Sequence, residues 1–177
     1  MPNHVKHDIT FSGARVAVDA VLGTIRGKTK GDDGEFPAID FEELVPMPAS
    51  VRETMGLELT FEQMAEMRKA GKENWYDWRV DHWGTKWNAF DVSTELDDED
   101  RTILHFSTAW DTPHPILRKL VEICRKNSVT ISGLFADEDL GANCGRIGMD
   151  GATHVEDGSP LAEEIAEKVW DYDPDDD

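Results

Sequence analysis

Basic residues are scarce in this chain. Eighteen Lys and Arg stand against 37 Asp and Glu, a formal net charge of −19 over 177 residues. A field of that sign repels nucleic-acid phosphates and anionic membranes and attracts basic surfaces. Cysteine is scarcer still: Cys124 and Cys144 form no CxxC pair and make no disulfide framework. Long apolar runs are missing. No stretch approaches a membrane span, and the N-terminus lacks the apolar core of a signal peptide, so a soluble cytoplasmic protein is expected. There is no GxSxG elbow for a nucleophilic serine. Gly27-Lys-Thr-Lys-Gly31 lacks the spaced glycines of a phosphate loop and reads as a solvated loop. No internal repeat is visible, and no cofactor is expected.

What is present is acid, unevenly spread. Residues 131–177 hold 14 acids and 2 bases, while residues 1–130 hold 23 acids and 16 bases. Two dense runs stand out: Glu95, Asp97, Asp98, Glu99 and Asp100, and the tail 171–177. The plain interpretation is a solvated hairpin loop and a frayed terminus. The sharper one is an electrostatic docking surface made of residues 95–100, Asp137, Glu138 and Asp139, and Glu163, Glu164 and Glu167. A halophilic origin is a rival explanation of the same charge.

The hydrophobic pattern sets the organisation. Val5, His7, Ile9 and Phe11 alternate with Lys6, Asp8 and Thr10, which predicts a half-buried strand. Ser12-Gly13 precedes a helix over Ala14–Ile25. Prolines 37, 46 and 48 then forbid a long regular element. Thr60 and Gln63 form a capping box for a short helix that Gly71 ends, and a further turn or two of helix covers Asn74–Asp81. From Trp87 the period is two, and the acidic run turns the chain into a second strand over Thr102–Thr108. Ile116, Leu117, Leu120, Val121 and Cys124 repeat at helical spacing, with Arg118, Lys119, Arg125 and Lys126 around them. Val129–Phe135 is the next strand, and a glycine-rich turn leads towards one more near Arg146–Met149. Ser159-Pro160 opens a last helix with Leu161, Ile165 and Val169 on its buried face. The expectation is α+β. It is a ferredoxin-like βαββαβ antiparallel sheet with its helices on one face, a helical insertion at about 36–83 between the first helix and second strand, and a C-terminal helix. Residues 1–170 would form the single domain and 171–177 an acidic tail. The second sheet face needs a cover, and the insertion is expected to supply it.

Five segments occur in order between Pro2 and Gly145: MPNHV…ITFSG, DFEELVPMP, WGTKWNAFDV, FSTAWDTPHPILRKL and FADEDLGANCG. In this the chain resembles the YubB ferredoxin-like domain family of phages, plasmids and other mobile elements. The resemblance implies the ferredoxin-like fold, a mobile-element origin and a bacterial host cell. It carries no active-site residues. The acidic C-terminal helix and tail lie outside these segments.

The chemistry-bearing residues are weighed singly. His4 and His7 would face opposite sides of a strand, and six histidines with two cysteines give no ligand set, so no metal is expected. Asp137-Glu-Asp139-Leu-Gly141 opens like a calcium loop but puts glycine where oxygen ligands are needed. Cys144 and His154 are separated by ten residues and lack visible adjacency. No carboxylate pair stands out as a general acid and base. Four tryptophans fall between positions 75 and 87. Trp83 and Trp87 are expected to pack the insertion on the sheet, with Gly84 at the bend and Trp110 joining. Trp83, Lys86, Trp87 and Trp110 are also the candidate aromatic site. Three functions follow. The preferred one is a non-enzymatic interaction protein whose clustered carboxylates mimic nucleic acid and block a basic, nucleic-acid-binding host protein. The second is a small hydrolase or modifying enzyme using a site near Trp83, Lys86, Asp139 and Asn143. The third is a nucleic-acid binder using an open sheet face.

Overall fold

Val5, His7, Ile9 and Phe11 are all buried, and in the computed structural model, which describes residues 3–31 and 34–172, they line one face of β1 (His4–Ser12). β1 is the central strand. It pairs antiparallel with β3 (Thr102–Ala109) on one side, His7 opposite Phe106. On the other side it pairs with β4 (Thr130–Asp137), His7 opposite Phe135. β2 (Phe90–Leu96) forms one edge beside β3. The order β2-β3-β1-β4 is the antiparallel sheet of a ferredoxin-like domain.

The simple βαββαβ expectation is exceeded. The described residues form six strands and seven α-helices. β5 (Gly145–Gly148) falls where one more strand was anticipated, and β6 (Gly151–His154) adds a second, extending the sheet beyond β4. Both are four residues long and rich in glycine, which gives period-two patterning little to register. β2 also departs from regular alternation. Asp91 has a φ of 49° and the register slips between Phe90 and Ser93, a bulge on an exposed edge strand.

Helix α1 (Arg15–Ile25) lays Val18, Val21 and Ile25 on the β1 core face, beside α6 (His114–Lys126) with its five buried residues. The insertion holds α2 (Phe41–Leu44), α3 (Ala49–Arg52), a 3-10 turn, α4 (Phe61–Lys69) and α5 (Trp75–Trp83). The Thr60–Gln63 capping box is present on α4. The insertion does not cover the second sheet face. Phe41 meets the Phe106 ring edge-on at 6.1 Å, which puts the insertion on the same side as α1 and α6. Apolar side chains at Ile39, Phe41, Leu44 and Met47 match the one large core already there.

The second face is covered by α7 (Pro160–Trp170) instead. Its Ala162, Ile165, Ala166 and Val169 bury Ala136 of β4 and Cys144, a separate small core. The Trp170 indole donates to the Ala136 carbonyl at 3.2 Å, and the Lys6 ammonium lies over its ring. Burial raises the thiol pKa of Cys144 and pushes that of Cys124 up to about 11.

His7 is completely buried, stacked on Phe106 at 4.5 Å, with Phe135 on its other side. Its Nδ1 lies 3.3 Å from the Phe106 carbonyl and its Nε2 3.3 Å from the Thr112 hydroxyl. Burial holds the ring neutral, its pKa down at about 3.

Two tests follow from this packing. A Cβ added at Gly133 would stand 2.1 Å from the Asp8 carbonyl oxygen across the β1–β4 pair, whereas one at Gly148 meets nothing within 4 Å. Gly133→Ala should lower stability by ~2 kcal/mol or more and Gly148→Ala by less than ~0.5 kcal/mol, read from urea midpoints. For His7, the unfolded chain takes up a proton below its ordinary pKa of 6.5 that the folded chain refuses down to about 3. Stability therefore falls as pH drops through that window, by up to ~1.4 kcal/mol per pH unit from this residue, and is fully present above it. His7→Phe keeps the ring stack without the titration. It should lose less stability than the parent between about pH 6 and pH 4. Parallel losses in the two proteins would contradict a neutral buried His7.

Candidate functional site

The acidic residues singled out in the sequence do not form one patch. Val5 pairs with Asp137, and Phe11 with Thr102, next to the hairpin turn. Six residues of strand separate the two, so Asp137–Asp139 and residues 95–100 lie ~20 Å apart at opposite ends of the sheet. The hairpin acids are partly spent on the turn. Asp97 accepts the backbone N–H groups of Glu99 and Arg101 and pairs with the Arg101 guanidinium. These contacts, the Arg101 N–H first, hold its carboxyl below the usual range. Glu99 also meets Arg101 at 3.3 Å. Glu95 lies 3.4 Å from His105 Nε2, whose Nδ1 is 2.6 Å from Asp8. Asp98 and Asp100 are exposed at the tip.

The acids of the α7 side do gather. Glu163, Glu164 and Glu167 are exposed on the outer face of α7, with Glu156, Asp157, Glu138 and Asp139 exposed in the segments leading to it. A Cβ at Gly141 would touch the Glu163 side chain at 3.5 Å, which places the loop after β4 against the start of the helix. Arg118, Lys119, Arg125 and Lys126 sit on α6, across the sheet. The basic helix α6 and the acidic α7 thus lie on opposite faces of the sheet, although the insertion beside α6 is itself net acidic. The part of the second face that α7 leaves open is a groove of about 480 Å³ lined by Asp8, Asp91, Glu95, His105, Lys6 and Lys168 among others. That is a mixed surface, not the basic platform a nucleic-acid binder needs. The tail positions 173–177 lie outside the described residues.

The tryptophan corner divides in two. Trp83 is wholly buried, edge-on to Phe41 at 5.8 Å, with its Nε1 donating to the Val45 carbonyl. It belongs to the core and offers nothing to a ligand. Gly84, with a φ of 83°, makes the bend after it. Trp110 does not join this packing. It is 42% exposed, with the Lys86 ammonium 5.2 Å above its ring and Tyr76 against its edge. Lys86 also lies over Trp87 at 5.3 Å. Lys86, Trp87 and Trp110 therefore stay together as a surface cluster, and Trp83 leaves it.

Beside Trp110 the structure assembles side chains that the sequence did not link. Asp111 follows β3. Its backbone carbonyl accepts from Thr108 Oγ1 and its Oδ1 from the Thr112 N–H, both at 2.7 Å. His114 opens α6, two residues beyond the Thr112 that His7 touches. His154 ends β6 opposite Gly145, where any Cβ would stand 2.6 Å from the Phe135 ring. The His154 ring packs edge-on to Phe135 at 5.0 Å and 5.2 Å from the ring of His114. One ligand atom from each of Asp111, His114 and His154 lies within 4.8 Å of the others. Burial, then the neighbouring His154, lowers the pKa of His114. Asn143 completes the corner. Its Oδ1 is 3.0 Å from His154 Nε2, and its Nδ2 donates to the Trp110 carbonyl and to Asp137. Asp137 is buried and also accepts from Asn3 and the Asp139 N–H, so it orients this loop and does not face outward. Trp110 and Asn143 both have positive φ, 72° and 45°. For a residue as bulky as Trp that is a costly backbone state, held by the Trp110 N–H to the Asn3 carbonyl. The expectation of no ligand set arose because His154 lies 40 residues from His114. The local signal was Asp-x-x-His at a strand-to-helix junction.

No helix of the described residues is long and apolar enough to cross a membrane. No curated protein and no solved structure matches the chain. The model of the ferredoxin-like domain in Api92-like protein matches residues 83–173, just over half of the 177. The match begins at the end of α5 and takes in every strand but β1. It also includes the acidic α7, which the sequence segments had left out. With that match and the β2-β3-β1-β4 antiparallel order, the chain belongs to the family described as the ferredoxin-like domain in Api92-like protein.

Proposed function

We propose that this chain is a non-enzymatic docking protein, of the YubB type and encoded by a mobile element, that presents the acidic side of α7 to a basic, nucleic-acid-binding protein of a bacterial host cell. The observation that carries the reading is the concentration of acid around α7. Residues 131–177 are net −12, and within them Glu163, Glu164 and Glu167 stand exposed on one rigid helix. Carboxylates at fixed spacing on a packed helix can occupy the phosphate positions of a nucleic-acid groove, and the surrounding field speeds encounter with it. The hairpin acids contribute less in this reading, since Asp97 and Glu99 already serve Arg101.

A second reading, a small hydrolase or modifying enzyme, is favoured by one observation: Asp111, His114, His154 and Asn143 converge beside the exposed Trp110. It moves the expected site away from the buried Trp83.

Capture from a host lysate at low and then high salt tests the preferred reading. One nucleic-acid-binding protein retained at low salt and released by high salt is expected. Reversing Glu163, Glu164 and Glu167 together to Lys should weaken its binding by at least ~100-fold, whereas reversing Asp98 and Glu99 should leave it within ~3-fold. Retention by the α7 triple variant, or an empty bait at both salts, contradicts the docking function.

A further inference from the structure

Outside the acidic surface, the described residues hold one three-residue group with metal-ligand chemistry, and it lies where three chain segments meet. We propose that Asp111, His114 and His154 bind one divalent transition-metal ion of the zinc class, leaving at least one coordination position open to solvent. The proposal is independent of the docking function.

The donor set favours that class. Two imidazoles and one carboxylate suit zinc, cobalt, nickel or ferrous iron, whereas calcium and magnesium take oxygen ligands. Three protein ligands with an open fourth position is the pattern of sites that do chemistry, while purely structural zinc sites are closed by four. The spacing is workable. Ligand atoms on a tetrahedral zinc stand about 3.4 Å apart, given bonds of about 2.0–2.1 Å. Here they lie within 4.8 Å of one another. Asp111 and His154 are exposed, so side-chain rotation alone can close the gap. The backbones behind them are set. Asp111 is tied by Thr108 and Thr112, His114 by the first turn of α6, and His154 by its pairing to Gly145. Asn143 Oδ1 lies 3.0 Å from His154 Nε2, the nitrogen 3.9 Å from Asp111 Oδ1, so a metal held by Nε2 takes the place of that contact. A chain of net −19 also concentrates divalent cations around itself.

The test is calorimetric titration of the chelator-stripped full chain with zinc(II), and with cobalt(II) followed by its visible absorption. One equivalent is expected, undisturbed by excess magnesium. His114→Ala and His154→Ala should each weaken zinc by ~100-fold or more, and Asp111→Asn, which keeps the Thr112 hydrogen bond, by ~10-fold or more. His105→Ala, which removes the imidazole between Asp8 and Glu95, should change nothing. Melting of each variant in chelator checks its fold. If a variant does not fold, imidazole nitrogen NMR of the unaltered chain decides: zinc should move His114 and His154 and leave His7, His82 and His105 in place. Absence of stoichiometric uptake, displacement by magnesium, or loss of zinc through His105→Ala overturns the proposal.

Discussion

A sheet has two faces, and in this fold the treatment of the second one governs everything else. The first face is filled by α1, α6 and the insertion, all packed on Val5, His7, Ile9 and Phe11 of the central strand. The second face carries Leu134 and Ala136 of β4 among polar residues, and α7 covers them with alanines, Ile165 and Val169. That cover is thin. The small core it makes is far smaller than the main one, and α7 can close on it tightly because Ala162 and Ala166 have little side chain to accommodate. Its outward positions are then free to be Glu. The acidic surface is a consequence of how the second face is closed.

The same central strand organises the far end of the molecule. His7 sits neutral between Phe106 and Phe135 and reaches Thr112, in the segment that joins β3 to α6. A charged His7 would have to give up its burial, so the segment is held by a group that stays uncharged at neutral pH. On either side of Thr112 stand Asp111 and His114. Asn3, just before β1, holds Trp110 by its carbonyl and Asp137 by its amide. The corner with metal-ligand chemistry is thus built from the first strand outward, although Asp111, His114 and His154 all lie after position 109.

Much of this was legible in the residues. Period-two alternation marked β1 and β3, and helical spacing marked α6, because each buries one clean face. The capping box at Thr60 and the bend at Gly84 follow from local backbone chemistry. What could not be read has physical causes. β5 was legible only as one more strand near Arg146–Met149, and β6, four residues long and stabilised by pairing with β5, left no trace in the pattern. An apolar stripe shows that a helix is buried but not against which side of a sheet, and for that reason the insertion was expected on the face that α7 covers. Trp83 and Trp110 look alike in sequence, yet one is sealed behind Phe41 and the other is held out by a positive φ. His154 could be joined to Asp111 and His114 only through β6, the strand that went unseen.

The central claim is that the face formed by α7 is the one this protein presents to its partner. Hydrogen exchange of the chain, free and with the partner it captures, tests that claim by location. New protection confined to α7 and the loop after β4, with α6 and the Asp97–Arg101 turn unchanged, is the predicted result. Protection on the basic α6 side, or none on α7, would contradict it.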